Sequence, residues 1–416
     1  MFSGRLWRHP DFLKLWAGET VSQFGSQVTL LAVPSVAILI LHAGPFQVGV
    51  LSALEFLAFP TLGLIAGVYA DRLKRRPIMI ACDLGRLLAL GSIPLAFTLG
   101  SLTLTQLYVV ALLAGICTVF FDVAYQSYLP ALVDRPNLIE GNTKLEVTGS
   151  AAQIAGPAVA GFLIQWIGGA RAVLVDALSF AVSALAIGLI RKPEPEPQPG
   201  TASGQAGFLV EMREGIEVVF RSPYLWRIAG CTATSNLGSN MVYGAVFLIF
   251  AYRQLHLTAA VVGLIFAISS CGWLVGAFLA GWSARTIGLG PTLAVASLIS
   301  GVGIVATPLA SLGAPVIVLS IAGFVNLTMV PIYNINQVSL RQAITPDRVQ
   351  GRMNATMRTI VWGTIPVGAF TGGILGTSIG VVQTIIIGGA VTALAAFWIV
   401  FGPVLRLKTQ PAPVSA

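Results

Sequence analysis

The sequence predicts an all-α membrane protein whose twelve transmembrane helices form two pseudo-symmetric six-helix bundles. Three observations predict this fold. Of the 416 residues, 56% are hydrophobic and only 10% are charged, whereas soluble globular chains carry about 25% charged residues. Long apolar runs follow one another along the whole chain, and the second half repeats features of the first. Most of the protein surface is therefore expected to contact lipid.

Twelve apolar runs are each about 20 residues long or longer, the length that a helix needs to cross a hydrocarbon core of about 30 Å. They cover residues 12–41, 46–70, 77–99, 103–127, 143–166, 169–190, 224–252, 257–284, 290–311, 314–341, 353–376 and 379–404. No cleavable signal peptide is evident before the first run.

The positive charges indicate the orientation. The net charge is +8, and the Lys and Arg residues concentrate on one side of the predicted spans, where the largest cluster is Arg72 to Arg76. The other side keeps only Arg171 and Arg253. The positive-inside rule then predicts that both termini are cytoplasmic. Because the cations form short clusters between apolar runs, we expect no nucleic-acid partner.

One long polar segment divides the chain. Residues 192–200 are rich in proline, and apolar positions in 208–220 recur at the spacing of an amphipathic helix. We predict an N-terminal bundle over 1–191, a cytoplasmic linker with this helix over 192–222, and a C-terminal bundle over 223–416. The halves match at an offset of about 213 residues, as in carriers built from two like bundles with a site between them.

Three sets of residues resemble the major facilitator superfamily. The loop between the second and third spans reads Gly67-x3-Asp71-Arg72-x2-Arg75-Arg76. In the fifth span, Ala152-x3-Gly156-Pro157-x2-Ala160-Gly161 resembles the antiporter motif of exporters, with alanine for glycine at two positions. Phe121-Asp122-x-Ala124, Leu129-Pro130 and Asp176-Ala177-Leu178-Ser179-Phe180 resemble the branch of drug:proton antiporters that holds the enterobactin exporters and macrolide efflux proteins.

The resemblance implies a role for each of the first two motifs. It implies that Asp71 and the neighbouring arginines latch the two halves in the outward-open state, and that the glycine–proline pair favours export. The gating residues implied are Gly67, Asp71, Arg72, Arg75, Arg76, Gly156 and Pro157. One feature departs from the pattern: Leu104 to Val119 carries no charge, so the arginine-based proton coupling of many drug:proton antiporters does not carry over.

Acidic residues inside the predicted spans are the candidates for proton coupling, because a charge in hydrocarbon is costly and such residues face a cavity or a partner. Glu19, Ser22, Gln23, Ser26 and Gln27 follow helical spacing and form one polar face on the first span. An isolated carboxylate there can exchange a proton near physiological pH. Glu19 is therefore the first candidate, and Glu55 and Asp122 are the alternatives. Asp83 and Arg86, one turn apart, are expected to form a structural pair.

Amides, aromatic rings and one cation within the spans are candidates for substrate binding. They are Gln23, Phe24, Gln27, Phe56, Phe121, Asn236, Asn240, Tyr333, Asn334, Arg358 and Trp362. An apolar cavity with scattered polar groups suits amphipathic organic molecules. Arg358 is expected to be the cation close to the cavity.

These features predict a proton-coupled exporter of amphipathic small molecules in a bacterial-type inner membrane, working by alternating access. A siderophore exporter or an uptake carrier of the same fold remains an alternative, as do a lipid flippase and a non-transporting receptor. No phosphate-cradling Gly-x4-Gly-Lys loop is present, and the three histidines and four cysteines show no metal spacing. We expect no enzymatic activity, cofactor or metal, and a monomer whose partners are substrate, protons and the bilayer.

Overall fold

The computed structural model describes residues 5–134, 137–194 and 205–409. Over these ranges the regular structure is helical, with no strand. In this described part of the chain, eleven helices are long and apolar enough to cross a membrane, by length and composition. The predicted all-α membrane fold is therefore confirmed.

The first six helices match the first six predicted spans, with ends that differ by a few residues. They are α1 (Pro10–Leu39), α2 (Pro45–Arg72), α3 (Arg75–Thr98), α4 (Leu104–Leu132), α5 (Leu138–Ile167) and α6 (Gly169–Gly188). Proline lies inside α1 to α5, which a membrane helix tolerates because neighbouring helices satisfy the freed backbone groups.

The amphipathic linker helix is also present, as α7 (Gln205–Arg221). Its Glu214 forms an ion pair with Arg352. A Cβ atom at Gly215 would lie 2.5 Å from Oγ1 of Thr356 and 2.7 Å from the carbonyl oxygen of Arg352. Glycine at this position therefore lets α7 approach the helix that carries Arg352 closely.

The seventh predicted span is a helix with irregular turns. It begins as α8 (Leu225–Met241) and continues through two π-helical segments, Val242–Val246 and Phe250–Gln254, which flank Phe247–Ile249. The remaining helices are α9 (Ala259–Ile287), α10 (Leu289–Val305), α11 (Pro315–Ile344), α12 (Asp347–Ser378) and α13 (Val381–Leu394), with a short turn of helix at Phe397–Val400. All twelve predicted spans are thus helical.

The chain divides into two compact units. The first contains residues 1–43, 54–202 and 258–267, and the second contains residues 44–53, 203–257 and 268–416. The start of α2 belongs to the second unit, where a Cβ at Gly49 would lie 2.5 Å from the carbonyl oxygen of Ala369. The start of α9 belongs to the first unit, where a Cβ at Gly263 would lie 2.8 Å from Cα of Gly161. The domain boundaries near residues 191 and 223 stay a prediction.

Small residues bring the helices of the first unit together. Helix α1 packs against α5 and α6, and α3 packs against α4 and α6. A Cβ at Gly18 would lie 3.2 Å from Cα of Ser183 in α6. Close backbone approach at small residues is typical of membrane helices. Larger apolar side chains, among them Phe12, Met79 and Tyr128, fill the core at one end of the unit.

The second unit has a core of its own. Leu225 and Ile228 of α8 are buried together with Leu293 of α10, Leu340 of α11 and Met353 of α12. Helix α8 packs against α12 and α13, and α10 packs against α11 and α13.

Candidate functional site

The polar face of α1 borders a cavity inside the first unit. The cavity has a volume of about 280 Å³, close to the lower end of the range of about 300–1,000 Å³ that is typical of small-molecule sites. Its lining mixes carboxylates, amides, hydroxyls and phenyl rings. The lining residues are Glu19, Ser22, Gln23, Ser26, Gln27, Thr29, Leu30, Glu55, Phe56, Phe59, Arg86, Leu90, Ala114, Gly115, Thr118, Phe121, Asp122, Asp176 and Phe180.

The packing of α1 explains why its polar face lines the cavity. Gly18 and Gly25, on a neighbouring face of the helix, lie against α6, where a Cβ at Gly25 would lie 2.5 Å from Oδ1 of Asp176. Side chains at i, i+3, i+4, i+7 and i+8 share one side of a helix. The five polar residues predicted from this spacing, Glu19 to Gln27, therefore all border the cavity.

Glu19 has one carboxylate oxygen with a partner and one without. The side-chain Nε2 of Gln23 donates a hydrogen bond of 2.7 Å to Oε1 of Glu19. The other oxygen, Oε2, is completely buried and accepts no hydrogen bond from the described residues. A buried charged oxygen without a partner is unfavourable, so this atom is suited to binding a proton.

Glu55 brings a second carboxylate to the cavity from α2. Its position depends on Gly115 of α4, because a Cβ at that glycine would collide with the carbonyl oxygen of Glu55. Glycine therefore allows α4 to approach α2 at the level of the acid. In the described part of the chain, the Glu55 carboxylate forms no ion pair or hydrogen bond.

Two more acids line the cavity, from α4 and α6. Asp122 borders it and has an interaction partner of its own. Asp176 is buried, and its Oδ1 accepts a hydrogen bond of 3.0 Å from Oγ of Ser179 on the same helix. The three predicted proton-coupling candidates, Glu19, Glu55 and Asp122, thus border the same cavity. Their role in coupling stays a prediction.

Among the described residues that line this cavity, the one cation is Arg86, which the sequence did not single out for this position. The expected pair with Asp83 is present, with Nη2 of Arg86 at 2.5 Å from Oδ1 of Asp83. The guanidinium also lies 4.4 Å from the ring centroid of Phe121 and 4.0 Å from that of Phe180. Arg358, the cation expected near the cavity, belongs to the second unit, where it is exposed and its guanidinium carbon lies 5.3 Å from the ring centroid of Trp362; its role stays a prediction.

The predicted substrate-binding residues divide between the two units. Gln23, Gln27, Phe56 and Phe121 line the cavity, whereas Phe24 of α1 is not among the described side chains that line it. The remaining candidates belong to the second unit: Asn236, Asn240, Tyr333, Asn334, Arg358 and Trp362.

Four of the candidates in the second unit form hydrogen bonds within it. Nδ2 of Asn236 donates to the carbonyl oxygen of Val361, and Nδ2 of Asn240 donates to the carbonyl oxygen of Asn236. Tyr333 shares a hydrogen bond of 2.9 Å with Oγ1 of Thr232, and Asn334 accepts one from Gln337. Their contribution to substrate binding stays a prediction.

The glycine–proline pair of α5 has a clear packing role. A Cβ at Gly156 would lie 2.5 Å from Cγ of Gln27, so glycine makes room for a cavity-lining amide. The carbonyl of the next residue, Pro157, lies so close to Gly263 that a Cβ at Gly263 would collide with it. By contrast, a Cβ at Gly67 would meet no described atom within 4 Å.

The basic loop between α2 and α3 is attached to the segment that follows α6. Carboxylate oxygens of Glu194 accept hydrogen bonds from the backbone N–H groups of Arg75, at 2.7 Å, and Arg76, at 3.1 Å. The Arg76 guanidinium donates to the carbonyl oxygen of Gly188. Glu194 therefore caps the first turn of α3, a position at which a carboxylate is favourable.

Two other loop residues were predicted to act in gating. The side chain of Arg72 is exposed, and the side chain of Asp71 lies outside the described part of the structure. The Glu194 contact had no signal in the sequence, because a proline-rich stretch does not indicate which helix it packs against.

Apolar spans, together with a cavity in the first unit lined by acids, amides and phenyl rings, are typical of a membrane transport protein. The chain belongs to the Major Facilitator Superfamily, whose sequence profile matches residues 15–361.

Several characterised relatives are exporters. The chain is 26% identical to the multidrug efflux pump Tap of Mycolicibacterium fortuitum over 96% of this chain and 97% of Tap. It is 25% identical to the enterobactin exporter EntS of Citrobacter koseri, covering 83% and 80% of the two chains. It is 26% identical to macrolide efflux protein A of Streptococcus pyogenes, covering 65% and 66%. The sequence-based assignment to this superfamily is confirmed.

Solved structures support the fold. A bacterial homologue of the iron transporter ferroportin superposes with a TM-score of 0.75 at 16% identity, over 96% of this chain and 99% of that one. The nucleoside transporter NupG gives a TM-score of 0.73 at 14% identity, over 94% of this chain and 98% of that one.

Proposed function

We propose that this chain exports amphipathic small organic molecules across the inner membrane by proton antiport and alternating access. The observation that carries the proposal is Glu19, a carboxylate in a polar cavity whose Oε2 is buried and accepts no hydrogen bond from the described residues. Acidic residues within membrane spans commonly mark the path of a proton or a substrate in transporters. The relatives Tap and macrolide efflux protein A support export of organic compounds.

Glu19 takes the proton, and Glu55 is the second acid of the exchange. Both carboxylates border one cavity, so a substrate that enters it competes with the protons that they hold. Gln23 orients Glu19 through its 2.7 Å hydrogen bond, and Gly115 sets the distance of Glu55 from α4. Asp122 is the alternative to Glu55.

The basic loop controls which side opens. Asp71 and Arg72 latch the two halves in the outward-open state, with both termini in the cytoplasm and the protein acting as a monomer. Asp71→Asn is then expected to shift the balance of inward and outward accessibility, as measured by cysteine labelling from either side. An unchanged balance would contradict the latch.

Transport in proteoliposomes tests the proton-coupled export. Purified protein is reconstituted, a pH gradient is imposed, and the movement of a panel of lipophilic compounds is followed with and without an uncoupler. We expect gradient-driven transport that Glu19→Gln abolishes and Glu55→Gln strongly reduces. The matched control is Glu217→Gln, which makes the same chemical change on α7, where 41% of the side chain is exposed. Full activity of Glu19→Gln, or transport that ignores the gradient, would refute the proposal.

Export of a siderophore is the second candidate. Its support is the similarity to the enterobactin exporter over 83% of this chain. The same proteoliposome panel, extended with a catecholate siderophore, tests it: gradient-driven movement of the siderophore alone would favour this candidate over export of general amphipathic compounds.

A further inference from the structure

The cavity of the first unit has more carboxylates than cations, and this imbalance bears on the substrate that it takes. Four carboxylates border it, Glu19, Glu55, Asp122 and Asp176, against one cation among the described lining residues, Arg86. Asp83, which faces Arg86 from within α3, adds a fifth acid next to the cavity.

The positive charge of Arg86 is already paired with a carboxylate. Its guanidinium is paired with the Asp83 carboxylate at 2.5 Å, and both side chains are buried, at 6% and 0% exposure. Phe121 and Phe180 lie 4.4 and 4.0 Å from the guanidinium carbon, so aromatic rings occupy positions beside the ion pair. Arg86 is therefore poorly placed to neutralise an anionic ligand.

The four carboxylates differ in the hydrogen-bond and ion-pair partners that they already have. Asp176 accepts a hydrogen bond from Ser179, and Asp122 has a partner. By contrast, Oε2 of Glu19 is completely buried without a hydrogen-bond partner in the described structure, and Glu55 forms no ion pair there. Glu55 therefore offers the cavity a carboxylate without an ionic partner in the described structure, and Glu19 adds a second lining carboxylate whose hydrogen bonds are incomplete.

Phenyl rings beside these two carboxylates suit an organic ligand. Phe56 and Phe59 lie next to Glu55 on α2, with ring centroids 6.2 Å apart and an angle of 29° between the planes. Ring faces attract ammonium and guanidinium groups as well as apolar surface. Together the rings and carboxylates form a site for a molecule with a cationic head and an apolar body.

We infer that the substrates are organic cations whose positive group pairs with Glu19 or Glu55 and whose apolar part lies against Phe56 and Phe59. This inference rests on the proposed export function and specifies its substrate class. It also distinguishes the two candidate functions, because a catecholate siderophore has no cationic group and its phenols ionise to anions. The cavity therefore favours organic compounds that carry a positively charged amine over catecholate siderophores.

Equilibrium binding to the purified full-length protein in detergent tests the charge preference. The probes are benzyltrimethylammonium, a cation, and benzenesulfonate, an anion of similar size. We expect the cation to bind at least tenfold more tightly than the anion. We also expect Glu19→Gln and Glu55→Gln each to weaken cation binding about tenfold, while Glu217→Gln leaves it unchanged. Size-exclusion profiles matching the wild type confirm that both variants are folded.

Two results would overturn the inference: equal or tighter binding of the anion, or unchanged cation binding in both glutamine variants. The outcome is independent of the transport assay. Cation-selective binding without gradient-driven movement would refute proton-coupled export alone. Gradient-driven movement of neutral or anionic compounds without cation binding would refute the cation preference alone.

Discussion

The ion pair of Asp83 and Arg86 is the most deeply buried of the described ion pairs in the first unit, and removal of one partner is expected to destabilise the fold. Both side chains are buried, with 0% and 6% exposure, and Nη2 lies 2.5 Å from Oδ1. Asp83→Asn removes the negative partner and leaves the guanidinium inside the bundle. Because Arg86 cannot lose its proton, the variant keeps a buried positive charge that has lost its paired carboxylate.

The size of the effect follows from the geometry. At 2.5 Å the Coulomb attraction is about 7 kcal/mol for an effective dielectric constant of about 20. Desolvation offsets much of this, and breaking a buried pair by removing one partner costs about 3–5 kcal/mol. Arg86 would keep its contacts with Phe121 and Phe180 and the attraction of Glu19. We therefore expect Asp83→Asn to lower the free energy of unfolding by about 3 kcal/mol, the lower end of this range.

Reversible unfolding in mixed micelles of increasing SDS fraction measures this free energy. Asp83→Asn and Arg86→Met are each expected to lower the free energy of unfolding, and the double variant is expected to recover at least half of the loss, because it leaves no unpaired charge. Asp134→Asn is the control, since that side chain is exposed. A free energy of unfolding of Asp83→Asn within about 1 kcal/mol of the wild-type value would refute this expectation. Losses of the two single variants that simply add in the double variant would refute it too.

Two further predictions concern residues whose role is visible only in the structure. Glu194→Ala removes the cap of α3, and a lost N-cap costs about 1–2 kcal/mol of stability. Hydrogen exchange at the Arg75 and Arg76 amides is therefore expected to become roughly 5- to 30-fold faster. Unchanged exchange rates at these amides would contradict the capping role. Gly156→Ala is expected to reduce gradient-driven transport by displacing Gln27, whereas Gly149→Ala, with no described atom within 4 Å of its Cβ, serves as control; equal activity of the two variants would argue against the packing role.

The spans could be predicted from the sequence because one physical requirement determines them. A helix must be apolar over about 20 residues to cross the bilayer, and the runs of this chain meet that requirement without long interruptions. The π-helical turns after Met241 could not be predicted, since no residue type specifies them. They occur where Gly244 lies close to Ala369, at 2.9 Å from a built Cβ to the alanine Cβ, a contact that depends on the packing of two distant segments.

The site was predictable where it depends on one helix and not where it depends on several. Helical spacing alone placed Glu19 and Gln23 on one face of α1. The position of Arg86 at the cavity required the packing of α3 against α4 and α6, which brings Phe121 and Phe180 onto its guanidinium. A single sequence does not contain that information, so the pair with Asp83 was expected but its place beside the cavity was not.

The contacts of Glu194 change how the basic loop should be interpreted. The family resemblance implied that Asp71 and the three arginines Arg72, Arg75 and Arg76 act together as a latch. The Arg75 guanidinium lies 3.7 Å from Glu194, and the Arg76 guanidinium donates to the carbonyl oxygen of Gly188, so these two arginines are engaged within the first unit. Arg72 and Lys74 remain exposed. Two arginines therefore hold the loop in place against the segment after α6, and any latch that the loop supplies rests on the charges at its beginning, Asp71 and Arg72.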